Sequence, residues 1–144
     1  MIIKHINPAS LFNSQQFGFS QITTCDSGKL VFLSGQVGWN KHQQLIGTGD
    51  FQSQIKQTFE NIKTAMTEVG GALSDIVSLR IYIVGENYAN DQYITKALKQ
   101  YFCEGHEPSA TWVRVIGLAT KSLLIEIEVT GVINNDYGIH PAMA

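Results

Sequence analysis

DFQSQIKQTFENIKTAMTEVGGALSDIVSLRIYIV, running from Asp50 to Val84, holds the two clearest elements of the chain side by side. Phe51, Ile55, Phe59, Ile62, Ala65, Met66 and Val69 recur at steps of three and four, which lines one side of an α-helix with apolar groups. Asp50 stands where an N-cap carboxylate can accept the first free N–H groups of that helix. Gly70 and Gly71 end it, because glycine enters the left-handed backbone of a helix C-terminus without steric cost. From Ser74 onward the period changes. Ile76, Val77, Leu79, Ile81, Tyr82, Ile83 and Val84 leave little polar surface on either side, the pattern of a strand buried on both faces. A long amphipathic helix feeding such a strand predicts an α+β domain on a central sheet.

Working outward, Ile2, Ile3 and Ile6 suggest a short first strand. Gly18 to Thr24 and Lys29 to Gln36 read as two strands of a hairpin joined by the turn Cys25-Asp26-Ser27-Gly28. Trp39 to Asp50, rich in Gly, Gln and Asn, reads as a loop. A second helix is predicted from near Asn90 to Phe102, with Tyr93, Ala97, Leu98 and Tyr101 on one stripe, stopping before Gly105 and Pro108. Thr111 to Leu118 and Leu123 to Ile133 follow as a closing hairpin of two more strands. Residues 1–133 thus form one α+β domain with about six strands in a mixed sheet and two helices on one face, and residues 134–144 form a loose polar tail. Two helices cover only one face of such a sheet, yet Phe32, Tyr82, Trp112, Val113 and Val115 place apolar area on both. Self-association with closed symmetry is the expected remedy, and a cleft between copies is a natural binding site.

Composition narrows the function. A chain of 144 residues with 44% hydrophobic and 15% charged residues folds without disulfide or metal support. Its formal charge of −2 offers no basic field for a phosphate backbone, so no nucleic-acid partner is expected. No apolar run approaches the roughly 20 residues of a membrane span, and Met1 to Ser10 lacks the core of a signal peptide, so the expected location is cytoplasmic. Cys25 and Cys103 are far apart, and His5, His42, His106 and His140 show no H-x-x-H or H-E-x-x-H spacing. Neither a metal site nor a redox pair is predicted. Gly47-Thr48-Gly49 is too short to cradle a phosphate and lacks the Lys-Ser/Thr that would follow, so no cofactor is predicted.

Several segments in a fixed order now carry a resemblance: Ser34-Gly35-Gln36-Val37, Asp50 with Gln54, Asn61 and Ile62, Val69-Gly70-Gly71 with Asp75-Ile76-Val77, Pro108, and Ile125-Glu126-Ile127-Glu128. Across Gly18 to Ile133 the chain resembles the Rid (YjgF) family of reactive-imine deaminases. The resemblance implies the chorismate-mutase-like fold, a homotrimer with its sheets packed inward, and three sites between subunits. It also implies a carboxylate trap, an arginine within Pro-Ala-Arg-Ser/Thr that grips the substrate carboxylate with two parallel N–H donors. Here the segment reads Pro108-Ser109-Ala110-Thr111, so the arginine position is Ala110. Trp112 stands where the family often has cysteine, Phe19 where it has a tyrosine, and Thr95 near an asparagine of the second helix. Glu126 matches the residue that orients the attacking water, and Ser34 also matches.

Glu126 is therefore the catalytic candidate, and Phe19, Ser34, Gly35, Ala110 and Trp112 are the candidates for binding a small-molecule substrate. Each has a plainer reading beside it. Glu126 and Glu128 alternate onto one face of a strand and would serve as a solvated sheet face. Ser34-Gly35 would serve as a tight strand end, and Phe19 and Trp112 as core or interface aromatics. Arg80 and Arg114 are the chain's two arginines. Arg114 shares the face of Ala110, but four strand residues separate them by about 13 Å, which favours an ion pair over a replacement clamp.

Two functions follow. The leading one is a hydrolase of an imine, enamine or related C–N bond whose substrate lacks the usual α-carboxylate, because the general base is kept while the anchor is lost. The other is a non-catalytic trimer that senses or sequesters a metabolite in an apolar cleft around Phe19, Ala110 and Trp112. Ribonuclease or translation-inhibitor activity, which travels with the family name, gains nothing from the chain's mild acidity. A chorismate-mutase activity would need several cations for a dicarboxylate.

Overall fold

The computed structural model describes residues 1–135; most of the predicted polar tail, from residue 136 on, lies outside them. Its strands are β1 (Ile3–Ile6), β2 (Ile22–Cys25), β3 (Lys29–Gln36), β4 (Ile76–Val84), β5 (Ser109–Val115) and β6 (Ile125–Ile133), with helices α1 (Phe51–Glu68) and α2 (Asp91–Tyr101). The α+β architecture read from the sequence, two helices with a mixed sheet, is the one observed.

Helix α1 forms for the reasons the sequence states. Asp50 caps it through Oδ1, which accepts from Gln52 N–H at 3.1 Å and Ser53 N–H at 3.3 Å, while Oδ2 accepts from the Ser53 hydroxyl at 2.7 Å. The Ser53 hydroxyl and N–H hold the Asp50 carboxyl below its ordinary value. A carboxyl lowered by folding adds stability above the ordinary carboxylate range and loses it as pH falls through the lowered value. Asp50→Ala is therefore expected to lower the melting temperature by a few degrees at neutral pH, with the gap to wild type closing in strong acid. Thermal melts from pH 7 down to pH 2 check this.

Main-sheet order is β3-β6-β4-β5, with β4–β5 parallel and the other pairs antiparallel. The central position of β6 accounts for its burial, with Ile125, Ile127, Val129 and Ile133 each no more than 3% exposed. Both predicted hairpins are corrected here. β2 pairs with β1 and not with β3, and the turn at Cys25 to Gly28 carries the chain from a two-stranded sheet into the main one. Likewise β5 and β6 are separated by β4. Adjacency in sequence failed as a guide because β6 offers nine residues of ladder to both neighbours, more than any short turn could arrange. The predicted single sheet is divided into these two and four strands, linked at the Ser20–Ser109 bridge, where Ser20 N–H donates to Pro108 O at 2.9 Å.

Both helices cover one face. Phe59, Ile62, Met66 and Leu98 pack there against Ile81, Ile125 and Ile127, all almost wholly buried. The expectation that β4 is buried on both faces is corrected within one protomer: Ile76, Leu79, Ile81 and Ile83 are buried, whereas Ser78, Tyr82 and Val84 are half-buried and Arg80 is exposed. On the uncovered face Phe32 is 72% and Leu30 60% exposed. Among the described residues no helix is long and apolar enough to cross a membrane.

Candidate functional site

Glu126 sits on β6 directly opposite Tyr82 of β4, on the face away from the helices. Beside it β3 is irregular: Leu33 faces Val129 and Gln36 faces Ile127, so β3 carries one extra residue at Ser34-Gly35. Such a bulge takes backbone out of the regular ladder and re-aims its neighbours. Glycine is required there for a local reason, since a Cβ on Gly35 would lie 2.3 Å from Glu126 Oε2, 2.7 Å from its Cδ and 2.9 Å from its Cγ. The missing side chain of Gly35 is the space in which the Glu126 carboxylate rests. Both residues line a hollow of about 700 Å3 whose wall includes Trp39, Lys41, Glu68 and Leu123. Ser34 is exposed, and its carbonyl accepts from Gln36 Nε2 at 3.0 Å.

Polar residues of α1 hold this wall. Gln54, Asn61 and Glu68 are spaced by seven, two helical turns, and so fall on one line of the helix. Asn61 Nδ2 donates to the carbonyls of Val37 and Trp39, each at 2.8 Å. Gln54 is fully buried, donating from Nε2 to Gly47 O and Ser122 O at 3.1 Å and accepting Leu124 N–H at 2.9 Å. It ties the loop before α1 to the segment that enters β6. These supports, together with Trp39, Lys41 and Glu68, were not among the candidates read from the sequence. Their seven-residue spacing, which keeps them on one line of the helix beside its apolar stripe, was the available signal.

The second set of candidates lies elsewhere. Ala110 and Trp112 pair with Leu79 and Ile81 and hence face the helices, the opposite side of the sheet from Glu126. Phe19 meets Trp112 with ring centroids 6.0 Å apart, and Phe17 meets it at 6.5 Å. Phe19 is placed by Gly18, where the φ of +93° and the 2.8 Å at which an added Cβ would lie from Leu98 Cβ both demand glycine. Trp112 Nε1 is buried and without a hydrogen-bond partner among the described residues. The candidates thus fall into two groups on opposite faces of the sheet, an acidic one at Gly35 and Glu126 and an aromatic one at Phe19, Ala110 and Trp112.

Arg114 is occupied within its own chain. It pairs with Asp91 at the start of α2, donates from Nη1 to Gly85 O at 3.0 Å and stacks 4.0 Å over the Tyr88 ring. It does not point back to Ala110 as a clamp. Glu128 accepts from the Tyr82 hydroxyl at 2.5 Å, and that bond, first among the causes, holds the Tyr82 phenol above its ordinary value. Glu128 is therefore tied to β4, whereas Glu126 faces the hollow.

The fold and the bulged strand beside an acidic hollow define the class: a YjgF-like α+β protein. A family model described as Endoribonuclease L-PSP matches residues 14–133, and the chain belongs to this Rid/YjgF family. A 2-iminobutanoate/2-iminopropanoate deaminase from Dermatophagoides farinae is 32% identical over 101 residues, covering 70% of this chain and 76% of that protein. The 3-aminoacrylate deaminase RutC of Acinetobacter baylyi is 28% identical over 98 residues, 68% of this chain and 75% of the relative. Among solved structures, the Rid-family protein YyfB of Yersinia pestis, titled as of unknown function, is similar with a TM-score of 0.87 and 34% identity over 92% of this chain and all of that one.

Proposed function

We propose that the chain is a Rid-type deaminase, a hydrolase of an imine, enamine or related C–N bond, and that it works where subunits of a homotrimer meet. The observation that carries this is the Glu126 carboxylate seated in the space left by Gly35, at the edge of a hollow large enough for a small organic molecule. Glu126 orients a water toward the imine carbon and takes its proton, and the nitrogen leaves as ammonia after accepting a proton. The bulged Ser34-Gly35 backbone serves the substrate's polar atoms. Since the aromatic half-site lies on the other face of the protomer, a neighbouring copy supplies Phe19, Ala110 and Trp112. Exposed Phe32 and Leu30 give the sheet face a reason to be covered by such a copy. The names of the deaminase relatives favour the same reaction class. With Ala110 in the arginine position, the substrate is one without the usual α-carboxylate.

Ammonia release from imines generated in situ, with and without an α-carboxylate, tests this reading. Release above the spontaneous rate supports it; none from either, at high enzyme concentration, rejects catalysis. A ligand that raises the melting temperature without turnover would then favour the metabolite-binding alternative. Glu126→Gln is expected to lower turnover by roughly 10²–10⁴-fold, the usual worth of a positioned general base. Unchanged turnover in that variant removes Glu126 from the mechanism, and scattering that finds lone protomers removes the shared site.

A further inference from the structure

The lining of the hollow says more about the substrate than the loss of an arginine does. Its charged groups are Glu68, Glu126 and Lys41, an excess of one negative charge. Among the described residues the salt bridge is Arg114–Asp91, so Lys41 forms no contact ion pair with either carboxylate. Trp39 adds an aromatic side chain to the same lining, and aromatic rings attract cations. Glu68 belongs to α1, a separate element from the Glu126 strand, so the acidity is built from two sides. The aromatic half-site brings no charge of its own at Phe19, Ala110 or Trp112. An α-imino acid would carry its carboxylate into this acidic, arginine-free space. A cationic substrate with an apolar or aromatic body meets the two carboxylates, against which Lys41 is the single opposing charge.

Resting on the deaminase reading above, we infer that the substrate is the iminium ion of an amine, R–CH=NH2+, rather than of an α-amino acid. Water adds to the carbon, the C–N bond breaks, and the products balance as R–CHO and NH4+. The reaction class that supplies it is amine oxidation by an O2-dependent amine oxidase, in which R–CH2–NH3+ and O2 give R–CH=NH2+ and H2O2. Glu68 is then a specificity-determining residue, holding the positive charge without touching the proton transfer.

The experiment compares imines made from benzylamine and butylamine by an amine oxidase with imines made from phenylalanine and leucine by an amino-acid oxidase. Ammonia release above the spontaneous rate is followed for each. The expected kcat/KM is at least about tenfold higher for the amine-derived pair, the scale on which one misplaced charge discriminates. Glu68→Gln is expected to raise KM for the benzylamine imine severalfold with kcat unchanged. Ala110→Arg is expected to shift preference toward the leucine imine by about tenfold, because a guanidinium can grip its carboxylate. Should Ala110→Arg fail to fold, the wild-type comparison and Glu68→Gln still decide. Equal or better turnover of the amino-acid imines by wild type overturns the inference while leaving the deaminase reading intact. No release from either pair overturns both.

Discussion

Gly35→Ala is expected to lose at least about a hundredfold in turnover while keeping nearly the wild-type melting temperature. The added methyl would sit 2.3 Å from Glu126 Oε2, far inside contact distance, so one of the two must move. The group it meets is the free end of a flexible side chain, and swinging that end aside costs the fold little. On the proposed mechanism it costs catalysis much more, because a general base displaced by about 1 Å no longer meets the water it is to orient. Kinetics and thermal melts on the same preparation check the pairing of effects. Loss of stability equal to the loss of turnover would mark Gly35 as a packing residue, and full activity would show that the carboxylate is not needed where it rests.

The second large effect is on stability. Gln54→Leu conserves volume but removes three hydrogen bonds from a fully buried position, taking the side-chain partner from Ser122 O and Leu124 N–H, while Gly47 O keeps the Asp50 N–H. Each of these part-buried hydrogen bonds is worth about 1 kcal/mol, so a loss on the order of 3 kcal/mol is expected. For a domain of this size that corresponds to a fall of roughly 10 °C in melting temperature. The variant also frees the segment entering β6 from the loop that builds the hollow, so ligand affinity is expected to fall with stability. A melt within 2 °C of wild type, on the order of half a kcal/mol, would show that water replaces the amide without penalty.

Much of this architecture was legible in the chain itself. The apolar stripe of α1, its cap at Asp50 and the dense apolar run of β4 each follow from local rules of period and capping, and each appears where those rules place it. Pairing was less legible. The turn at Cys25 to Gly28 is a good turn signal, and the fault lay in reading a turn as a hairpin, since the partner of β3 lies about a hundred residues further on. Nothing local encodes that choice. It is made by the burial of β6 between two strands that both need its edge.

The class of fold, the family resemblance and the identity of the groups that could do chemistry can all be read along the chain, because side-chain type, period and motif order are local properties. It took the folded chain to show that Glu126 rests against Gly35, that Asn61 and Glu68 line one hollow with it, and that Ala110 and Trp112 occupy the opposite face. The physical reason is that a strand sends alternate residues to opposite sides, while strand order and a single bulge determine which side and which neighbour each one meets. Those depend on contacts between distant segments, which no window of sequence contains.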